Sequence, residues 1–337
     1  MSVTLPTLDE SHRWCARVTR TQARNFYWGL RLAPSDRRPD LYAAYAWMRA
    51  ADDLADEPMA GVTSPASPAS TSALAERDAR LKALAVFRAA TDAALAVDAS
   101  HAAHAAADAG ANSIGIDPRL WPGFVHAART RRIDPVLWSE ALDGMDDDAR
   151  HTQPEDWPDL DRYCYRVAST VGLICLAIWG MKPNATARDR DEARRCAIAR
   201  GHSFQLTNIA RDVRVDALAS RWYVPRSVMA AAGVSTDDLL AWRDPDACST
   251  VIGAITGRAR QWQRESLNLE SLVDPACVPA LRAMSGIYWS ILDVLVRDPR
   301  RSIDPSRARL STLTKARIMA SALVGIAPAP TAREATP

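Results

Sequence analysis

Two clusters of carboxylates at helical spacing carry the clearest chemistry in this chain. In YAAYAWMRAADDLADE, Tyr42, Tyr45, Arg49, Asp52, Asp53 and Asp56 share one broad helical face, with Asp52 and Asp56 one turn apart. Like charges so spaced repel one another on a solvated helix, and a divalent cation would relieve the repulsion. In GHSFQLTNIARDVRVDA, Gln205, Asn208, Asp212 and Asp216 follow at spacings of three, four and four, with Phe204, Leu206 and Ile209 apolar beside them. Buried polar groups of this kind must find partners. Mg²⁺ takes hard oxygen ligands, keeps several waters and is usually held by one or two carboxylates together with substrate phosphates. Two helices each offering D-x-x-x-D therefore predict a Mg²⁺ and diphosphate site. A single such motif is more often a solvated helix face. The recurrence favours metal, with Gln205 and Asn208 in phase at the second motif and Arg49 just before the first.

The elements that must hold these faces read as helices. The chain has 337 residues and 48% hydrophobic content, enough to bury a substantial core. Alanine, leucine and arginine are abundant, and such side chains lose little rotamer freedom in a helix. Helical patterning covers residues 74–97, 100–109, 163–180, 189–216, 237–242, 249–272 and 279–296, and no run alternates as a strand would. The D-P pairs in IDPRLWPGF and RIDPVLW each open a fresh helix. The class is all-α. Residues 58–73 are rich in Pro, Ser, Thr and Ala and predict a flexible loop. The organisation expected is an N-terminal segment at 1–19, a helical domain at 20–320 and a disordered tail at 321–337.

A formal net charge of +2, from 42 basic and 40 acidic residues, leaves no basic excess to track nucleic acid. Six dispersed cysteines without a C-x-x-C pair fit a reducing cytoplasm. The N-terminus has no apolar stretch of signal-peptide length, and the uncharged run from Val167 to Met181 is too short to span a bilayer. Any membrane contact is expected to be peripheral.

The segments RNFYWGLRLAP, LYAAYAWMRAADDLADE, YCYRVASTVGLICLAIWG and GHSFQLTNIARDVRVDALASRWYVP, in this order and spacing, resemble the head-to-head trans-isoprenyl diphosphate synthases: squalene, presqualene diphosphate and phytoene synthases. The resemblance runs from about Arg20 to Lys315. It implies a helical bundle of the isoprenoid synthase type around a central cavity, with prenyl diphosphates as substrates. It also implies that Asp52, Asp56, Asp212 and Asp216 bind diphosphate through Mg²⁺, with Mn²⁺ as a substitute. Gln205 and Asn208 match the amides before the second motif, Arg49 the arginine before the first, and Arg211 and Arg221 the basic residues near the second. Tyr163 matches a tyrosine that the family places near the carbocation. Three departures stand out: Val215 where the family has glutamate, Ser220 where it has glycine, and Gln153 and Pro154 where it has an arginine-tyrosine pair.

Head-to-head coupling needs charge stabilised on a departing diphosphate while the carbocation meets nothing nucleophilic. Mg²⁺ and the arginines answer the first need; Phe26, Leu30, Tyr45, Val167, Val171 and Leu206 are the expected lining for the second. RNFYWGLRLAP resembles bacterial squalene-pathway members more than phytoene synthases, and that resemblance implies two farnesyl diphosphates and a squalene-type product, with two geranylgeranyl diphosphates and phytoene as the alternative. NADPH use stays open. A terpene cyclase and an inactive prenyl-lipid-binding protein are the rivals; the second motif is not the asparagine-serine-glutamate triad of cyclases, and all four aspartates are intact. His101 and His104 lie in an alanine-rich helix and are assigned no zinc, Asp146 to Asp148 are read as a helix-end cluster, and the tryptophans as packing.

Overall fold

A computed structural model describes residues 5–56 and 71–325. Its helices, in chain order, are α1 (Leu8–Gln22), α2 (Arg24–Leu30), α3 (Arg38–Asp56), α4 (Thr71–Ala96), α5 (Ala102–Asp108), α6 (Leu120–Thr130), α7 (Pro135–Arg150) and α8 (Trp157–Cys164). They continue with α9 (Thr170–Trp179), α10 (Ala187–Leu218), α11 (Arg226–Ala231), α12 (Thr236–Ala241), α13 (Pro245–Glu265), α14 (Val278–Arg297) and α15 (Thr312–Leu323). A π-helical segment, Tyr165–Ser169, joins α8 to α9. Among the described residues there is no strand, only an isolated bridge between Met181 and Val273. None of the described helices is long and apolar enough to cross a membrane.

Local chemistry accounts for the helix starts. Thr7 and Glu10 form a capping box at α1, Thr186 and Asp189 one at α10, and Ser235 and Asp238 one at α12. Asp134, Asp156 and Asp244 cap α7, α8 and α13, each with proline in the first turn, as the D-P reading predicts for α7. α4 opens at Thr71, so residues 71–73 are helical where a loop was expected; a first turn has unpaired N–H groups and needs no apolar face. The rest of that loop and residues 326–337 of the expected tail lie outside the described residues, while α15 runs to Leu323.

The chain divides into two compact units, neither contiguous in sequence: one comprises Met1–Tyr27, Pro34–His151 and Leu173–Trp179, the other Trp28–Ala33, Thr152–Gly172 and Gly180–Pro337. The core of the first is aromatic. Trp47 packs on Trp138 at 4.9 Å and Phe124 at 5.5 Å between ring centroids, and its indole N–H donates to Thr91 Oγ1 at 3.1 Å. Each such ring pair adds about 0.5–1.5 kcal/mol beyond area burial. In the second unit the core collects along α10, where Leu206, Ile209 and Val213 meet Ile252 and Ile255 of α13 and Leu292 of α14. Arg200, 4% exposed, is neutralised there by Glu270 and hydrogen-bonded to Ser266 and Ser285, with its guanidinium over the Trp289 ring. A buried charge is tolerable only with that degree of pairing.

Candidate active site

In the first unit the buried Trp47 fixes the rotation of α3, so Arg49, Asp52 and Asp53 fall on its less buried side. Arg49 Nη1 pairs with Asp52 Oδ2 at 2.7 Å, and Arg49 Nη2 pairs with Asp53. The repulsion read from the sequence is therefore relieved in part within the helix itself. Burial works against the charge of Arg49, but Asp52, Asp53 and Tyr45 outweigh it and hold its pKa above the ordinary value. Asp52 keeps a side chain 41% exposed, so it retains capacity for a further ligand. Asp56 is the last residue of α3, and Tyr45 is partly buried one turn before Arg49.

In the second unit α10 carries the other motif. Arg211 holds Asp212 in a two-point clamp, Nε to Oδ1 at 2.9 Å and Nη2 to Oδ2 at 2.5 Å. Arg307, distant in sequence, adds an ion pair to Asp212 Oδ1 at 3.3 Å. Burial disfavours the charge of Arg211, yet Asp212 holds its pKa above the ordinary value. Asn208 Nδ2 donates to Gln205 Oε1 at 3.3 Å, while Asn208 Oδ1 is buried with no hydrogen-bond partner among the described residues. A buried, unsatisfied amide oxygen one turn before a carboxylate fits a hard divalent cation. Tyr288 of α14 stacks on Phe204 at 4.1 Å. Burial pushes its phenol pKa up, so Tyr288 stays protonated.

The end of α10 is tied by a Schellman motif. The Arg221 N–H donates to the Asp216 carbonyl at 2.7 Å and the Ser220 N–H to the Ala217 carbonyl at 2.9 Å, with Ser220 left-handed at φ +59°. This backbone link sets the Arg221 N–H on the last motif aspartate's carbonyl, with serine at a left-handed position that glycine adopts more readily. Gln153 and Pro154 anchor the chain that follows: Gln153 Nε2 donates to the Val224 carbonyl at 2.8 Å, and the Pro154 carbonyl accepts from the Arg226 N–H at 3.0 Å. Val215 is half-buried.

Tyr163, 9% exposed, stacks on Tyr223 at 5.0 Å. It is the penultimate residue of α8, which ends at Cys164 just before the π-helical turn that holds Val167, a local distortion that often marks functional positions. Glycines permit the approach of α10 to this turn. A Cβ on Gly201 would lie 2.5 Å from Ser169 Cα, and one on Gly172 would lie 2.8 Å from the Ala197 carbonyl. Val167 and Val171 are half-buried, whereas Leu206 is fully enclosed in the core. On α2, Phe26 is half-buried and Leu30 only 4% exposed. Sequence reasoning missed Arg307, Tyr288 and Tyr223. Tyr223 sits in the quoted RWYVP segment, but Arg307 and Tyr288 reach α10 only through tertiary contact.

The sequence profile described as squalene/phytoene synthase matches residues 19–314. A phytoene synthase from Mycobacterium bovis is 32% identical over 94% of this chain and 91% of its own length. A 15-cis-phytoene synthase from Synechocystis is 27% identical over 94% of this chain and 87% of its own. Among solved structures, a dehydrosqualene synthase with bound ligand superposes with a TM-score of 0.69 at 21% identity, covering 95% of this chain and 97% of that one. A squalene synthase from Alicyclobacillus acidocaldarius does so at 0.64 and 24%, covering 87% and 95%. These two establish the all-α isoprenoid synthase fold.

Proposed function

The chain belongs to the squalene/phytoene synthase family of head-to-head prenyltransferases, and on that premise we propose that it joins two geranylgeranyl diphosphates to form phytoene. RNFYWGLRLAP alone points to farnesyl diphosphate, whereas relatives matching most of the chain are named phytoene synthases and favour geranylgeranyl diphosphate. Chain length depends on cavity depth, which a short motif does not encode. The observation that carries the chemistry is the α10 ladder, where Gln205, Asn208 and Asp212 stand with arginines around them.

Ionisation of the first allylic diphosphate breaks its C–O bond and leaves the electron pair on the departing diphosphate. Arg49, Arg211, Arg221 and Arg307 meet that charge. Mg²⁺, when held by Asp52, Asp56, Asp212 and Asp216, supplies charge neutralisation at the phosphates, and Mn²⁺ can replace it. The double bond of the second chain attacks the cation, and a proton passes to the released diphosphate as a cyclopropylcarbinyl diphosphate closes. Tyr163 orients that proton transfer, and its ring face with that of Tyr223 steadies positive charge. Loss of the second diphosphate, rearrangement and a second proton loss complete a hydrocarbon without hydride, so NADPH is not consumed. Phe26, Leu30, Tyr45, Val167, Val171 and Leu206 supply apolar or aromatic bulk against water. The water-insoluble product would leave to a lipid surface, consistent with peripheral membrane contact.

The test is incubation of the purified chain with Mg²⁺ and each diphosphate separately, with and without NADPH, and mass spectrometry of the products. A C40 hydrocarbon from geranylgeranyl diphosphate without NADPH is expected. A C30 product from farnesyl diphosphate and none from geranylgeranyl diphosphate would restore the squalene-type reading, and a cyclised product from one substrate molecule would make the chain a terpene cyclase.

A further inference from the structure

Away from the acidic motifs, and within the first unit, three helices bring two imidazoles and a carboxylate together. Among the described residues, His12 of α1, Asp40 of α3 and His126 of α6 offer one donor atom each, all within 4.8 Å of one another. Their convergence follows from how α1 meets α6. Gly123 has no side chain, and a Cβ there would lie 2.7 Å from Ser11 Oγ and 3.4 Å from the His12 ring. Ser11 uses the gap, accepting from the Gly123 N–H at 2.8 Å and donating to the Arg119 carbonyl at 2.6 Å. One turn beyond Gly123, His126 meets the His12 ring edge to face at 5.6 Å.

The polar atoms here are incompletely satisfied. His12 Nε2 is buried with no hydrogen-bond partner among the described residues. Asp40 is 2% exposed; Arg131 Nε donates to its Oδ2 at 2.6 Å, which leaves Oδ1 facing His126 Nε2 at 3.9 Å, too far for a hydrogen bond. Carboxylates that ligate metals are themselves hydrogen-bonded, and Arg131 supplies that bond on one oxygen of Asp40 while the other stays open. We propose that His12, Asp40 and His126 form a binding site for a borderline first-row cation, Zn²⁺ being the best match, which pins α1 to α3 and α6. Imidazole nitrogen with one carboxylate oxygen suits Zn²⁺, whereas the all-oxygen motif ligands suit Mg²⁺. Tetrahedral Zn²⁺ separates its N and O ligands by about 3.4 Å, so the side chains close in by roughly 1 Å on binding. Water takes the fourth position. His126, with a side chain 36% exposed, gives access from solvent.

The full chain, stripped with EDTA and returned to excess Mg²⁺, is titrated with ZnCl₂ by calorimetry, and separately with Co²⁺ by visible absorption. One equivalent is expected per chain, with the strong visible bands of four-coordinate Co²⁺ and a higher melting temperature. His12→Ala and His126→Gln should each weaken binding at least about 10²-fold, while Asp212→Asn leaves it intact. His126→Gln is the safer variant for folding, and the Co²⁺ spectrum of the unaltered chain reads the site without any substitution. No stoichiometric Zn²⁺ in the unaltered chain, binding unchanged in both histidine variants, or binding lost with Asp212→Asn would each overturn the proposal.

Discussion

Asp212 is held by two guanidiniums, Arg211 in a two-point clamp and Arg307 from a distant segment, so its carboxylate is fixed in place. The surrounding positive charge suits a diphosphate more than an isolated cation. Arg307 has φ +51°, a left-handed backbone that a bulky residue adopts only when its surroundings demand it. Asp212→Asn is therefore expected to lower kcat/KM by at least about 10²-fold, and Arg307→Ala by about 10-fold or more, with melting temperatures near that of the unaltered chain. Well-folded variants turning over at the normal rate would remove these residues from the site. Asp212 was legible because D-x-x-x-D with Gln205 and Asn208 in phase is a local pattern. Arg307 and Tyr288 were not: their partners lie on α10, and nothing in SRARL or GIYWS marks the contact. The internal relief of Asp52 and Asp53 by Arg49 could have been read from its i,i+3 and i,i+4 spacing.

At the scale of elements, α10 joins the second motif to its supports. Its C-terminus places Ser220 at the left-handed position of a Schellman motif, where a Cβ costs about 1–2 kcal/mol and glycine's added unfolded-state entropy recovers part of the difference. Ser220→Gly should raise stability by about 0.5–1 kcal/mol, read as a higher denaturant midpoint with an unchanged slope. Further back on α10, the 4% exposed His202 reaches the Asp161 carbonyl at 3.1 Å and the Ser169 hydroxyl at 2.9 Å. Burial lowers its pKa below the ordinary 6.5. The unfolded chain then takes up this proton first as pH falls, so the stability contribution is full above that value and is lost progressively below it. The melting temperature should drop between about pH 7 and pH 5, and His202→Gln should flatten that slope; an unchanged slope would show that His202 does not set it. The helix starts were legible from caps and D-P pairs because those signals are local. The π-helical turn was not, since it arises where Gly201 brings α10 against Ser169. The convergence of His12, Asp40 and His126 has no local spacing to mark it for the same reason, since the three lie on separate helices.

For the whole molecule, the fold class follows from helical periodicity and composition, but substrate length does not, because it depends on how much apolar volume the folded chain encloses. The same distinction separates what either acidic motif could bind alone from what the chain binds when folded. A ligand that binds only the folded state stabilises it by RT ln(1 + [L]/Kd), about 2.7 kcal/mol at a hundredfold excess over Kd. Inorganic diphosphate is the product of both ionisation steps of the proposed reaction and carries the groups that the arginines and the Mg²⁺ ligands are proposed to hold. Without Mg²⁺ it meets the repulsion of the motif carboxylates, and Mg²⁺ without it lacks the phosphate oxygens that complete a hard-cation shell. The two together should raise the melting temperature by on the order of 5 °C, and either alone by much less. Asp212→Asn should abolish the joint shift, Asp52→Asn should do the same, and His126→Gln should retain it. If Mg²⁺ and diphosphate gave only the sum of their separate shifts, or if both aspartate variants kept the joint shift, the metal-diphosphate assignment would fail for this chain even with the prenyltransferase fold in place.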